Sequence, residues 1–413
     1  MEKILLILCF IYLNIFDLKS QDTVHVVSYN LLRYNSSIER NNDFKKIFNL
    51  LKPDIILAQE IVGQEGVTNL LDNVLKEVNN NFEAGEFIDD PNTDIDQGLF
   101  YNSDKFEFLS SSSLDGYPRP IYIFNLKHKE TGENFVIYNL HLKASKGGDN
   151  ENMRRDQIIE LKNYISEQND NFYIVGGDFN IYSTTESAYQ SLFDITESGK
   201  GNLHDIINVT GTYNDPLYAK IHTQSTRTTQ FGGGSHGGLD DRFDFILYSD
   251  SVMYGDRIFV IDSTYKAVGN DGLHYNSALN ILPNESVSSN ISNALHDASD
   301  HLPVSVKIIF SKEKIFREVL NVESYKQGKD LKIYPNPTFD KLNIKSKEEN
   351  IINIQLISPD GKDIRNIDVN SKDYIMDLIN VSSGIYFLKL EFKNFDKKIN
   401  LIKKWSFLLW KIF

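Results

Sequence analysis

Residues 174–180 have the sequence IVGGDFN, an apolar β-like run that ends in Asp178 and Asn180. Five other short runs carry polar groups at or near their ends: Asn30 in SYNLL, Glu60 in IILAQE, His141 in IYNLHL, Asp244 in RFDFIL, and Asp300 and His301 in ASDHLPV. Carboxylates, amides and imidazoles at strand ends can converge on one rim of a sheet. The ordered set therefore predicts a site at such a rim, where a metal ion and a phosphate would bind.

Around these runs, from Thr23 to Phe310, strand-like segments alternate with amphipathic helical segments. The apolar spacing predicts helices at Asp43–Leu51 and Met153–Ile165. Several strands are apolar on both faces, which is typical of sheets that pack on each other and are covered by helices. The pattern predicts an α/β catalytic domain over residues 21–310.

The first 20 residues combine Lys3, the apolar run Ile4–Phe16 and the small residue Ser20, which is the order of a secretory signal peptide. The alternative is a membrane anchor, but the run is shorter than the roughly 20 residues that a bilayer span needs. We expect a signal peptide at residues 1–20 and no stable membrane span. The only cysteine, Cys9, lies in this segment, so the mature chain has neither disulfides nor thiolate metal ligands.

Beyond the catalytic domain the composition and the apolar pattern of the sequence change. Residues 311–330 form a charged stretch without a core pattern, which predicts a linker. Residues 331–413 contain short β-like runs separated by turn residues, and the spacing of the turns predicts a small all-β sandwich of five to seven strands.

The charge of the chain is unevenly distributed. The formal net charge is −14, but residues 331–413 hold 14 Lys and Arg against 10 Asp and Glu, which leaves −18 upstream. An acidic domain argues against tight non-specific binding of nucleic acid. It does not argue against hydrolysis of a phosphodiester, because a bound divalent cation reverses the local field.

The polar groups match the needs of phosphodiester hydrolysis, which requires a cation on the phosphate, a base for the attacking water and neutralisation of the leaving oxygen. Glu60 and Asn30 are hard oxygen ligands of the kind that Mg²⁺ prefers, and Asp300 is a further candidate. His301 is a candidate base, with Asp244 as the carboxylate that would fix its tautomer.

Together, SYNLL, AQE, NLHLK, GGDFN, RFDFIL and SDHLPV resemble the endonuclease/exonuclease/phosphatase superfamily, whose fold is deoxyribonuclease-like. The resemblance covers about residues 23–310 and implies a four-layer α/β sandwich. It also implies that Glu60 and Asn30 hold the metal with support from Asp300. His301, oriented by Asp244, would activate the water, while Asp178 and Asn180 would position the water and the phosphate.

His141 narrows this resemblance to particular branches of the superfamily. The repair-type exonucleases typically have tyrosine here, whereas the deoxyribonuclease, sphingomyelinase and inositol-phosphatase branches have histidine. The resemblance implies a catalytic His141 that serves the phosphate or the leaving group, with Asp96 as its carboxylate partner. It also implies that Arg119 binds substrate. The glycine-rich segment 222–241 precedes RFDFIL and is either a close approach of backbone to substrate or a surface loop.

The C-terminal module carries a second resemblance. YPNPT, SPDGK and GIYFLKL are similar to the sorting domain of the type IX secretion system of Bacteroidetes, although nine residues follow the final basic pair, Lys403 and Lys404. The alternative is an adhesive or spacer β-sandwich.

The sequence therefore predicts a secreted or cell-surface phosphodiesterase, exported through the periplasm by the type IX machinery, that uses Mg²⁺, or else Mn²⁺ or Ca²⁺. A monomeric extracellular endonuclease acting on nucleic acid is the first expectation. A sphingomyelinase-like or other phosphoesterase is the alternative, and a non-catalytic binding module is the second alternative.

Overall fold

The computed structural model describes residues 21–90, 93–194, 200–207, 209–315, 331–334, 338, 340–347, 349–358, 362–382, 384–393 and 396–403. The chain divides into two compact units, residues 1–314 and 315–413. The predicted signal peptide, most of the predicted linker and the C-terminal residues after Lys403 lie outside the described residues. Among the described residues, no helix combines the length and apolarity that crossing a bilayer requires.

Among the described residues of the first unit, twelve strands form two sheets. They are β1 (Gln21–Tyr34), β2 (Ile55–Ile61), β3 (Phe82–Ala84), β4 (Asp96–Asn102), β5 (Phe106–Leu114), β6 (Ile121–His128), β7 (Asn134–His141), β8 (Tyr173–Asp178), β9 (Leu203–His204), β10 (Asp244–Ser249), β11 (Ile258–Ala267) and β12 (Val304–Ser311).

Helices lie between these strands in the sequence. They are α1 (Asn41–Leu51), α2 (Gly63–Leu70), α3 (Lys76–Val78), α4 (Gly148–Glu167), α5 (Ser187–Phe193), α6 (Asp250–Tyr254) and α7 (Ser289–Ala298), with a π turn at Leu71–Leu75 and a 3₁₀ turn at Pro216–Ile221. Both predicted helices are confirmed: α1 begins two residues before the expected segment, and α4 extends beyond it at both ends.

Each sheet has six strands and is mixed. Sheet 1 has the order β11-β12-β1-β2-β4-β3, and sheet 2 has the order β5-β6-β7-β8-β10-β9. One neighbouring pair in each sheet is parallel, β1 with β2 and β7 with β8, and the other neighbours are antiparallel.

Three apolar cores separate four layers. The central core joins the two sheets through residues such as Val26 and Ile174. A second core packs α1 and α7 on the outer face of sheet 1, and a third packs α4 and α5 on the outer face of sheet 2. Strands buried on both sides by this stacking have the continuous apolar runs seen in the sequence. The predicted four-layer α/β sandwich is confirmed.

The second unit contains seven described strands: β13 (Leu331–Tyr334), β14 (Lys341–Ser346), β15 (Ile351–Ile357), β16 (Asp363–Ser371), β17 (Asp373–Asp377), β18 (Gly384–Glu391) and β19 (Asp396–Lys403). They form a sheet of order β13-β14-β17 and a sheet of order β16-β15-β18-β19. One apolar core contains residues of both sheets, for example Ile344 and Leu388. The predicted small β-sandwich is confirmed.

Candidate active site

Strand register brings the polar strand ends together. In sheet 2, the parallel pairing of β7 with β8 places His141 beside Asp178, and the antiparallel pairing of β8 with β10 places Asp244 on the other side of Asp178. In sheet 1, Asn30 pairs with the residue that precedes Glu60. The two sheets contribute their polar ends to the same site, because Asn30 of sheet 1 contacts Asp178 of sheet 2.

Asn30 bridges the two sheets. Its Nδ2 donates to Glu60 Oε1 and to Asp178 Oδ2, both at 3.1 Å, while its Oδ1 accepts from the backbone N–H of Leu32 at 3.0 Å. The amide nitrogen therefore faces the carboxylates. Asn30 could offer its oxygen to a metal only if the amide turned over and the Leu32 N–H found another acceptor.

Two of the site residues adopt unusual backbone conformations. Glu60 has φ of 59° and Asn180 has φ of 51°, in the left-handed region. Such a conformation is strained for glutamate, and strain of this kind clusters at functional sites. Asn180 is further fixed because its backbone N–H donates to Asp178 Oδ1 at 3.0 Å and its Nδ2 donates to the Leu142 carbonyl at 3.3 Å.

His301 and Asp244 form a buried pair. Nδ1 of His301 lies 2.8 Å from Asp244 Oδ2, and Asp244 is 0% exposed. The Thr223 hydroxyl accepts from the backbone N–H groups of Phe243 and Asp244, which fixes the start of β10. A buried carboxylate cannot donate when ionised, so it selects the tautomer with the proton on Nδ1 and leaves the Nε2 lone pair for the site.

The pair also sets the affinity of His301 for a proton. Burial alone would lower the pKa of His301, but the carboxylates of Asp244, Asp178 and Asp300 outweigh it and raise the pKa well above the usual value. Gln224 Nε2 lies 2.5 Å from His301 Nε2 and caps the lone pair. The imidazole is thus a strong base whose accepting atom is held toward the site.

His141 has the opposite character. Its Nε2 lies 3.5 Å from Asp178 Oδ2 and 3.8 Å from Glu60 Oε1. Burial, followed by the positive charges of Arg119 and His301, holds the pKa of His141 well below its usual value. The two imidazoles therefore differ in protonation tendency: His301 holds a proton more readily than His141 does.

The expected partner of His141 is corrected by the structure. Among the described residues, Asp96 makes no hydrogen bond with His141; it accepts instead from the backbone N–H groups of Gly63 and Asp90 and from the Tyr122 hydroxyl. These three donors satisfy the carboxylate at the start of β4, so it fixes the local backbone. The carboxylates near His141 are Asp178 and Glu60.

Arg119 lies beside the site. Its guanidinium donates to the carbonyls of His141 and Leu142, at 3.3 and 2.9 Å. Burial lowers its pKa, and the charges of Asp178 and Glu60 act against that effect. The position places a fixed positive charge at the end of β7.

The Asp300 side chain is held by the glycine-rich loop. Its Oδ2 accepts from the Ser235 backbone N–H at 2.6 Å. A Cβ on Gly234 would lie 2.8 Å from the same carboxylate, so glycine allows this approach. The glycine-rich segment of the sequence therefore lies against a candidate site residue.

Three residues of the site were not predicted as such: Gln224, Ser299 and Thr223. The Ser299 hydroxyl donates to the Asn30 carbonyl at 2.6 Å and accepts from the His301 N–H at 3.2 Å, which joins the loop before β12 to β1. Ser299 lies within the ASDH motif, so its sequence position gave a signal. Gln224 and Thr223 lie in the glycine-rich segment 222–241, which the sequence marked only as a whole, and tertiary folding brings these two residues to His301 and Asp244.

The donor set fits a hard divalent cation. Burial, then the charge of Asp300, raises the pKa of Glu60, and burial raises the pKa of Asp178 to about 7. Carboxylates this poorly compensated would be stabilised by a cation. Within the described part of the chain no group of three or more His, Cys, Asp or Glu side chains has metal-binding geometry. Mg²⁺ needs only one or two carboxylates, since it keeps several waters.

The C-terminal unit of the chain matches a family model. Residues 332–404 match the family model described as the secretion system C-terminal sorting domain, which confirms the predicted resemblance of the C-terminal module. A search of curated proteins gives no match to the chain.

Solved structures similar to this chain include the human Nocturnin catalytic domain with bound sulfate, at 18% identity and TM-score 0.44, covering 70% of this chain and 97% of that one. An endonuclease/exonuclease/phosphatase family protein from Bacteroides thetaiotaomicron has 21% identity and TM-score 0.43, covering 71% and 97%. D. rerio TDP2 complexed with single strand DNA product has 17% identity and TM-score 0.41, covering 69% and 98%. These include the family that the sequence motifs resemble.

Proposed function

We propose that this protein is a secreted, divalent-metal-dependent phosphodiesterase that hydrolyses nucleic acid. The observation that carries the proposal is the convergence of Glu60, Asp178 and the His301–Asp244 pair at one end of the two sheets, with Asn30 bridging Glu60 and Asp178 at 3.1 Å. This set supplies a base, buried carboxylates for a cation and groups that order a water.

His301 is the proposed general base. The Asp244 carboxylate holds the imidazole with Nε2 toward Asp178, at 3.7 Å from its Oδ2. The attacking water would give its proton to Nε2, and Asp244 would stabilise the imidazolium that forms. Because Gln224 caps Nε2 here, the water would replace the Gln224 contact when substrate binds.

Asp178 and Asn180 are the proposed water- and phosphate-positioning groups. Asp178 lies between both imidazoles, with its Oδ1 fixed by the Asn180 N–H and its Oδ2 held by Asn30. A carboxylate oxygen in this position accepts a hydrogen bond from a water that approaches His301, which orients the oxygen lone pair toward the phosphate.

Glu60 is the main proposed metal ligand, with Asn30 and Asp300 as further candidates. Burial raises the pKa values of Glu60 and Asp178, which supports a cation here because a cation would stabilise their ionised forms. A bound Mg²⁺, Mn²⁺ or Ca²⁺ would neutralise the phosphate oxygens and lower the energy of the leaving oxygen.

His141 is proposed to serve the phosphate or the leaving group. Its neutral form offers one N–H as a donor, and Arg119 adds positive charge near the same strand end. An N–H directed at a phosphate oxygen stabilises charge that develops during the reaction.

Nucleic acid is the proposed substrate because exposed aromatic rings lie on the loops that carry site residues. Tyr117 is 74% exposed and lies two residues before Arg119. Phe231 is 44% exposed, lies three residues before Gly234 and stacks on the Arg227 guanidinium at 4.5 Å. Aromatic faces of this kind stack on unpaired bases without sequence preference.

Export through the type IX secretion machinery is proposed from the C-terminal match at residues 332–404. The expected location is the medium or the cell surface, after passage through the periplasm. We propose residues 21–310 as the catalytic domain, 311–330 as the linker and 331–413 as the sorting domain.

An activity panel tests the proposed function. The purified mature protein is assayed with Mg²⁺, Mn²⁺ or Ca²⁺ on plasmid DNA, RNA, sphingomyelin, inositol phosphates and a synthetic aryl diester. We expect cation-dependent cleavage of nucleic acid that excess chelator abolishes and that His301→Ala lowers by about 10²- to 10⁴-fold.

The matched control is His204→Ala. His204 lies on β9 at the outer edge of sheet 2 and pairs with Asp250, so its loss should leave turnover unchanged. Cleavage of sphingomyelin or inositol phosphates without cleavage of nucleic acid would refute nucleic acid as the substrate. Absence of hydrolysis of every compound in the panel would refute the proposed enzymatic activity.

A further inference from the structure

A cavity of about 740 Å³ lies in the first unit. Its lining includes residues of β11 and β12, the end of α1 and the 3₁₀ turn at Pro216–Ile221. The volume is in the usual range for small-molecule sites, about 300 to 1,000 Å³. Thr223 of the candidate active site is among its lining residues, whereas the candidate catalytic and metal-binding residues are not.

The register of sheet 1 places lysines on one wall of this cavity. Lys266 pairs with Ser305 across β11 and β12, and His25 pairs with Lys307 across β1 and β12. Directly paired residues point to the same face, and so do residues two apart on a strand. Lys266, Ser305 and Lys307 therefore share a face of the sheet. All four paired residues line the cavity.

Lys266 and Lys307 carry like charges on this face, at the two sides of the register shift between Ile261 and Lys266. Like charges on one face of a sheet repel each other. Lys220 reaches the same cavity from the 3₁₀ turn, with its side chain packed against Gly272. Within the described part of the chain, the ammonium groups of Lys220, Lys266 and Lys307 form no ion pair.

The lining contains one acidic residue, Asp271. It accepts from His274 Nδ1 at 2.8 Å and from the backbone N–H groups of Leu273 and Glu285, both at 2.9 Å. Its single negative charge stands against the positive charges of three lysines in the lining. Three lysines around one cavity leave a local positive field in a domain whose net charge is strongly negative.

Ser305 adds a hydroxyl to the same face of the sheet. The residue is 3% exposed and lines the cavity. A ligand oxygen between Lys266 and Lys307 would accept from this hydroxyl.

The lining also contains apolar side chains, namely those of Leu51, Ile207, Ile221, Val268 and Val287. A lining that combines lysines with apolar side chains fits a ligand with an anionic head and an apolar body. We propose that this cavity binds an organic phosphate, with the phosphate at Lys220, Lys266, Lys307 and Ser305 and the organic part against these apolar side chains.

Calorimetric titration of the full mature protein with adenosine monophosphate, inorganic phosphate and adenosine tests the proposal. Excess chelator is present throughout, so that phosphate cannot bind through a metal at Glu60. We expect saturable binding of adenosine monophosphate that is tighter than binding of either fragment. The result is independent of the proposed function, because it requires no turnover.

Variants locate the binding. Lys266→Gln and Lys307→Gln should each weaken binding about fivefold, the effect of one solvent-accessible charge contact. Ser305→Ala should also weaken it. Lys312→Gln is the matched control: Lys312 is exposed, follows β12 and lies outside the lining, so binding should be unchanged.

Three results would overturn the proposal. The first is no saturable binding of adenosine monophosphate up to millimolar concentration. The second is unchanged affinity in the Lys266→Gln/Lys307→Gln double variant, which would place the ligand elsewhere. The third is inorganic phosphate binding as tightly as adenosine monophosphate, which would mean that the organic part of the ligand contributes nothing to the affinity.

Discussion

Asp244→Asn removes the carboxylate charge behind the proposed base while preserving the shape of the side chain. Asp244 is 0% exposed and lies 2.8 Å from His301 Nδ1. The asparagine oxygen can still accept one hydrogen bond, but its amide can also present N–H groups to the imidazole. The change therefore weakens the imidazolium and allows the wrong tautomer.

The structure sets the size of the effect. Unit charges 2.8 Å apart attract by about 6 kcal/mol at an effective dielectric constant of about 20. If desolvation offsets half of this, about 3 kcal/mol remains, and the pKa of His301 falls in the variant because the attraction of the Asp244 carboxylate is lost. We expect kcat to fall by about 10²- to 10⁴-fold, the span of a positioned general base.

The pH profile has a definite sign. The base must be neutral to accept a proton, so activity in the wild type rises as pH increases through the raised pKa of His301. In Asp244→Asn the pKa is lower, so the same rise should occur at lower pH, toward a smaller plateau. A merely structural role of Asp244 would lower the plateau without moving the rise.

The measurement is the steady-state kcat as a function of pH, and circular dichroism confirms that the variant is folded. Asp240→Asn is the control, because the Asp240 carboxylate accepts from Asn214 and has no contact with His301. An unshifted profile with wild-type kcat would refute the assignment of His301 and Asp244 as the base and its partner.

Three further outcomes are expected. Glu60→Gln should raise the cation concentration needed for half-maximal activity, because an amide lacks the charge that holds a hard cation; unchanged cation titration would contradict the ligand role. His141→Ala should slow a diester with an alkoxide leaving group more than one with an activated aryl group, whereas equal loss would make His141 a phosphate binder. Deletion of residues 331–413 should preserve specific activity in vitro and stop release of the protein into the medium. The periplasmic-to-medium ratio of the protein measures its release, and unchanged export would contradict the sorting role.

The sequence determined the fold class and most of the site's composition. Apolar runs on both strand faces require burial on both sides, which only stacked sheets with covering helices supply. Polar residues at strand ends, such as Glu60 and Asp178, then lie at the rim because strands end there. The C-terminal sandwich followed from its turn spacing in the same way.

Tertiary structure alone decided the hydrogen-bond partners of the candidate site residues. Asp96 is closer in sequence to His141 than Asp178 is to Asn30, yet Asp96 bonds Gly63 and Asp90 while Asn30 bonds Asp178. Sequence patterns report which face a residue occupies, whereas a hydrogen bond depends on distances of a few tenths of an ångström between different sheets.

The same limit applies to Gln224 and to the lysine-lined cavity. Gln224 lies in a loop without periodicity, so only folding places its amide 2.5 Å from His301 Nε2. Lys220, Lys266 and Lys307 are scattered over 88 positions, and strand register together with one 3₁₀ turn brings them to one cavity. Local periodicity determines elements, while convergence of distant side chains is a property of how those elements pack.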